Sequence, residues 1–136
     1  MKDNLRIGLV DSAEFEITEQ MLAKNVGSGD AEVLATPVLL NMMEALCAKM
    51  IAQNQEDESF TSVGALANLS HVAPTPLGMK VNLKATVIGL DRKKVTFRIE
   101  ARDEIELVSI GIHERVILNR KKFEEKASRK HAGKSA

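Results

Sequence analysis

The sequence predicts an α+β domain in which an antiparallel sheet of about five strands wraps one long helix. Three observations carry that prediction. The stretch "ATPVLLNMMEALCAKMIA" at 35–52 is apolar on nearly every side when read at helical spacing. From residue 60 onward the period changes to two, in four successive stretches. The connections between those stretches are short and rich in turn residues, which suits antiparallel pairs and excludes parallel ones.

In chain order, "EFEITEQM" at 14–21 alternates apolar and polar residues and reads as a first strand. "AKNVGSGDAE", with two Gly, a Ser and an Asp, reads as a flexible connection. Thr36-Pro37 then opens the helix, Thr as N-cap and Pro at the first helical position. The helix should run to about Gln53, where the polar "NQEDES" follows.

The second strand is "FTSVGALANLSH", with Val63, Ala65, Ala67, Leu69 and His71 on one parity. "PTPLG" makes a rigid turn. "VNLKATVIGL" places Val81, Leu83, Ala85 and Val87 together, "DRKK" turns the chain, and "VTFRIEA" aligns Val95, Phe97, Ile99 and Ala101. The last strand, "LVSIGIHERVIL", puts Val108, Ile110, Ile112, Val116 and Leu118 on a common face. This is the arrangement of a hot-dog fold, the sheet being the bun around the helix. So small a sheet leaves edges and one helix flank uncovered, which a second copy would cover. Residues 1–123 read as one domain and residues 124–136 as a charged, mobile tail without a period.

Composition narrows the function. Lys+Arg and Asp+Glu number 19 each, so no global field points to nucleic acid or a membrane surface. Four Phe with no Trp or Tyr offer no platform for stacked bases. A lone Cys47 forbids an internal disulfide and suits a reducing cytosol. No run reaches the roughly 20 apolar residues of a membrane helix, and the N-terminus lacks a signal-peptide pattern. The expectation is a cytoplasmic protein.

Four positions stand out for chemistry. Glu44 lies in the apolar helix, where its neighbours at three, four and seven residues are apolar apart from Asn41. Such surroundings raise a carboxylate's pKa and suit it to act as a base or nucleophile, although a polar gap or an interfacial salt bridge is the bland reading. Thr36 has a structural role as N-cap, yet a helix start also favours an oxyanion. His71 ends a strand before a Pro-rich turn, where it either relays protons or is simply structural. Gly64 reads as a bulge or a close backbone approach. "HERVI" at 113–117 begins like a zinc-protease motif, but Ile117 stands where the second ligand belongs.

Three segments together resemble one family. "VLATPVLLNMMEAL" at 33–46, "TSVGALANLSHVAPTPLGMKV" at 61–81 and "IGIHERVILNRKKF" at 110–123 resemble the fluoroacetyl-CoA-specific thioesterases, hot-dog proteins, in order and spacing. The resemblance implies a homodimer that hydrolyses an acyl-CoA thioester without a metal, coenzyme A being part of the substrate. By position it makes Thr36, Glu44 and His71 the catalytic residues. Gly64 then lies beside the acyl group and Arg115 near the site. The stretch "KNVGSGDAEV" departs from the family, which carries a bulky apolar lid there, so a general short or medium acyl-CoA is expected rather than fluoroacetyl-CoA. Two other readings stay open: a non-catalytic hot-dog module that binds CoA or acyl groups, and a hot-dog hydratase.

Overall fold

The long apolar stretch forms the helix α2, Thr36–Gln53, and its Leu39, Met42, Met43, Leu46, Cys47, Met50 and Ile51 are buried. A computed structural model describes residues 5–134. In it five strands, β1 Val10–Glu16, β2 Phe60–His71, β3 Lys80–Asp91, β4 Lys94–Arg102 and β5 Leu107–Asn119, form one antiparallel sheet in the order β1-β3-β4-β5-β2. Its concave face holds α2. A short helix α1, Ala23–Val26, precedes α2, and α3, Arg120–Lys134, follows β5.

Val81, Leu83, Ala85 and Val87 on β3, and Val95, Phe97, Ile99 and Ala101 on β4, are all buried as their alternation predicts. They pack against the buried stripe of α2 in one continuous core. Phe97 is fully buried at its centre, so Phe97→Ala would cost about 3–5 kcal/mol. Among the described residues no helix is long and apolar enough to cross a membrane.

Four expectations need correction. The first strand runs from Val10 to Glu16 rather than from 14 to 21, and Glu19–Met21 form a single 3-10 turn. The reason is the partner: Glu16 pairs with Lys80, where β3 begins, and the pairing closes one residue later, where Ile17 bonds to Met79 and Gly78. The connection after it is built, not loose: α1 ends on Gly27 at φ 90°, and Lys24 pairs with Glu32 at 2.8 Å. The C-terminal segment, aperiodic in sequence, forms the helix α3, which carries almost no apolar face.

The fourth correction positions the site. On β2 a bulge between Gly64 and Leu66 breaks the alternation. Gly64 therefore faces inward together with Ala67, Leu69 and His71, whereas Val63 does not share their side. On β5 a shift opposite Ala101/Arg102 leaves Val108 and Ser109 both buried. Beyond it Gly111, His113 and Arg115 face α2, while Ile110, Ile112 and Val116 turn to the outer face of the sheet. Strand β2 is paired on one side only, and its middle, Gly64–Asn68, is exposed.

Candidate active site

The site residues fall into two clusters on the same flank of the protomer. The first is Thr36 with His71. Thr36 is not the N-cap of α2: that position belongs to Ala35, and no side chain caps it. The threonine is the first helical residue, and its Oγ1 lies 2.8 Å from His71 Nδ1. The Pro74–Gly78 turn that follows β2 is pinned by Thr75, fully buried, whose hydroxyl donates to Asp103 at 3.0 Å. His71 Nε2 is buried, with no hydrogen-bond partner among the described residues. Burial pushes the His71 ring below the ordinary histidine value of 6.5, against the pull of the Ala73 backbone. The ring is therefore a neutral imidazole at neutral pH, able to exchange a proton with the hydroxyl. An open cleft of about 270 Å³ lies over the pair, lined also by Val33 and Pro74. Among the described residues no Phe, Tyr or Trp lines that cleft.

The second cluster surrounds Glu44. The acid is not enclosed by apolar neighbours: its side chain is 42% exposed and faces the Arg115 cation. Arg115 Nη1 lies 3.4 Å from Glu44 Oε2, and His113 Nε2 lies 4.0 Å from the same oxygen. Arg115 is buried and spans the cluster. Its Nε donates to Ser62 Oγ at 2.9 Å, Nη2 to the Ser62 carbonyl at 2.9 Å, and Nη1 to His113 Nε2 at 3.1 Å. Gly64 closes the floor. A Cβ there would sit 2.7 Å from Glu44 Oε2 and 3.3 Å from His113 Cε1, so only glycine leaves the carboxylate its place. A small cleft lined by Glu44, Gly64, Ala65, Leu66, Ala67 and His113 opens at the exposed edge of β2.

The two clusters do not meet within one chain. Glu44 follows Thr36 by eight residues, about 12 Å along a helix axis. His71 follows Gly64 by seven residues on an extended strand, about 20 Å or a little more. The structure thus brings Thr36 to His71, and Glu44 to Gly64 and Arg115, as two separate clusters.

Sequence reasoning missed His113 and Ser62. His113 drew notice only as part of an incomplete metal motif. The usable signal was its spacing of two from Arg115 on a strand, which puts both on one face. Cys47 is no nucleophile: burial pushes its thiol up to about 12.

The model of the fluoroacetyl-CoA-specific thioesterase family matches residues 17–121. The chain belongs to that family. It is 26% identical to the fluoroacetyl-CoA thioesterase of Streptantibioticus cattleyicolor, over 96% of this chain and 97% of that one. A crystal structure of a fluoroacetyl-CoA thioesterase superposes with a TM-score of 0.87 at 25% identity, covering 94% of this chain and 98% of that one. A thioesterase superfamily member from Thermus thermophilus reaches a TM-score of 0.88 at 26% identity, covering 98% and 99%. A hot-dog-like protein from Thermanaerovibrio acidaminovorans shares the fold at a TM-score of 0.84 and 22% identity, covering 91% of each chain. The fold of this family member is the hot-dog fold.

Proposed function

We propose that the protein is an acyl-CoA thioester hydrolase acting on a short or medium acyl-CoA, with Thr36, Glu44 and His71 as its catalytic residues. Family membership makes it a thioesterase. The observation that carries the assignment of residues is the Thr36–His71 contact of 2.8 Å beside an open cleft, with Glu44 in the second cluster.

The chemistry is undemanding at the leaving group. An alkyl thiol ionises near pH 8.5, so its thiolate departs readily once the carbonyl is attacked. Glu44 activates a water molecule, or itself attacks to form an anhydride that water then opens. In either course one water is consumed, the C–S bond breaks, the acyl group leaves as the free acid, and a proton reaches the thiolate. His71 carries that proton and Thr36 hydrogen-bonds the oxygen on which charge develops. Arg115 orients Glu44. Coenzyme A enters with the substrate, and the reaction requires no metal or other resident group.

The same reading includes a homodimer. A twelve-residue edge strand with an exposed middle is a template for pairing with its own copy. A two-fold axis at Leu66 or Ala67 sets His71 of one protomer opposite residues 61–63 of the other. Glu44 and Gly64 of that second chain then lie beside the Thr36–His71 pair of the first. Two copies complete two sites. The cleft's lining by Val33, Val72, Ala73 and Pro74, with no Phe, Tyr or Trp among the described residues, supports a broader acyl range than fluoroacetyl. An unpaired thiol supports a cytoplasmic location.

The test is free-thiol release from a panel of acyl-CoAs, short to long, with wild type and Glu44→Gln side by side. Turnover that collapses by about 1,000-fold or more in the variant is expected. Coenzyme A binding without turnover of any acyl-CoA would instead make the protein a binding module.

A further inference from the structure

His113 is fully buried, and the mechanism above gives it no part. Its two ring nitrogens meet partners of fixed polarity. Nδ1 lies 2.8 Å from the Leu66 carbonyl, which can only accept. Nε2 lies 3.1 Å from Arg115 Nη1, which can only donate. The proton is therefore on Nδ1 and the lone pair on Nε2, a single neutral tautomer set by geometry.

We propose that His113 is a positioning residue for the Glu44 carboxylate, acting through Arg115 as a neutral hydrogen-bond acceptor. The guanidinium has three neutral acceptors, Ser62 Oγ, the Ser62 carbonyl and His113 Nε2. They fix its plane without neutralising its charge. Glu44 is the one acid paired with it among the described residues. A carboxylate in place of His113 would take the cation away from Glu44, and an imidazolium would repel it. A neutral imidazole orients the cation and competes for none of its charge. Both His113 Nε2 and Glu44 Oε2 are lone-pair atoms, so at 4.0 Å they do not bond each other and Arg115 Nη1 serves both. Burial, and Arg115 after it, push the ring's proton affinity below the ordinary histidine value, which keeps the tautomer neutral.

This inference rests on the thioesterase reading, and two variants test it by acyl-CoA turnover with thermal unfolding read alongside. His113→Asn keeps a donor for the Leu66 carbonyl but falls short of Arg115. His113→Gln extends an acceptor to the place of Nε2. The expected result is a loss of about 10- to 100-fold in kcat for His113→Asn at nearly unchanged KM, with most of it restored in His113→Gln. Equal losses that follow Tm, or wild-type kcat in both, would overturn the proposal. Should wild type hydrolyse no acyl-CoA, the thioesterase reading falls by itself. Imidazole ¹⁵N spectra then decide the positioning role. A ring protonated at Nδ1 alone at and above about pH 6.5 supports it, and a ring that titrates at or above that value overturns it.

Discussion

Thr36 Oγ1 and His71 Nδ1 lie 2.8 Å apart across a separation of 35 residues, at the point where the start of α2 meets the end of β2. The threonine at a helix start would ordinarily cap it. Here Ala35 takes the cap position and the hydroxyl is released to the imidazole. Replacing Thr36 by Ala is expected to lower kcat by about 100-fold, the scale of one lost oxyanion donor. Thr36→Ser should stay within a few-fold of wild type. A trapped acyl-threonine in rapid-quench experiments would make Thr36 the nucleophile and displace Glu44 from that role.

The clusters separated along β2 predict complementation. Thr36→Ala and Glu44→Gln are each expected to be nearly inactive alone. Mixed in equal amounts under conditions that exchange subunits, they should recover about one quarter of wild-type activity, since half the dimers are mixed and each holds one intact site. No recovery, with mixed dimers demonstrated by mass spectrometry, would place the whole site within one chain.

Two glycines on the inner face should separate function from stability. At Gly64 an added Cβ collides with the end of the Glu44 side chain, which can swing aside. Gly64→Ala should therefore fold normally and lose about 10- to 100-fold in kcat through a displaced carboxylate. At Gly111 the Cβ would stand 2.9 Å from the Asn68 backbone oxygen and 3.2 Å from Met43 Sδ. Gly111→Ala should cost about 1–3 kcal/mol in denaturant unfolding. Similar Tm losses for both would contradict the two environments.

The pH dependence follows from the two inner histidines. Both rings have folded values below 6.5, His71 and His113 alike through burial. As pH falls through 6.5 the unfolded chain takes up protons first, so stability present above 6.5 is lost on further acidification. His113→Gln should flatten the fall of Tm that sets in as the pH drops below about 6.5. In activity, a neutral His71 moves the acid limb of kcat/KM below 6.5. A limb at or above that value would mean that the ring is solvated.

The sequence by itself determined the architecture. Val81 to Val87 and Val95 to Ala101 alternate without interruption, and a helix apolar on most sides has to lie under such a sheet. Those signals are local, since period and turn chemistry depend on near neighbours alone. It also singled out Thr36, Glu44 and His71, by their positions and through the family that the three segments resemble. Tertiary structure alone decided how the site is assembled. The bulge at Gly64–Leu66 turned Gly64 and His71 to the same side, and the shift opposite Ala101/Arg102 turned His113 and Arg115 inward in place of the isoleucines. A bulge is a mismatch between two strands, and neither strand's sequence records its partner's register. Glu44 came to face a cation instead of an apolar pocket because Arg115, 71 residues on, reaches it from another strand. Contacts of that range form only when the sheet closes around α2.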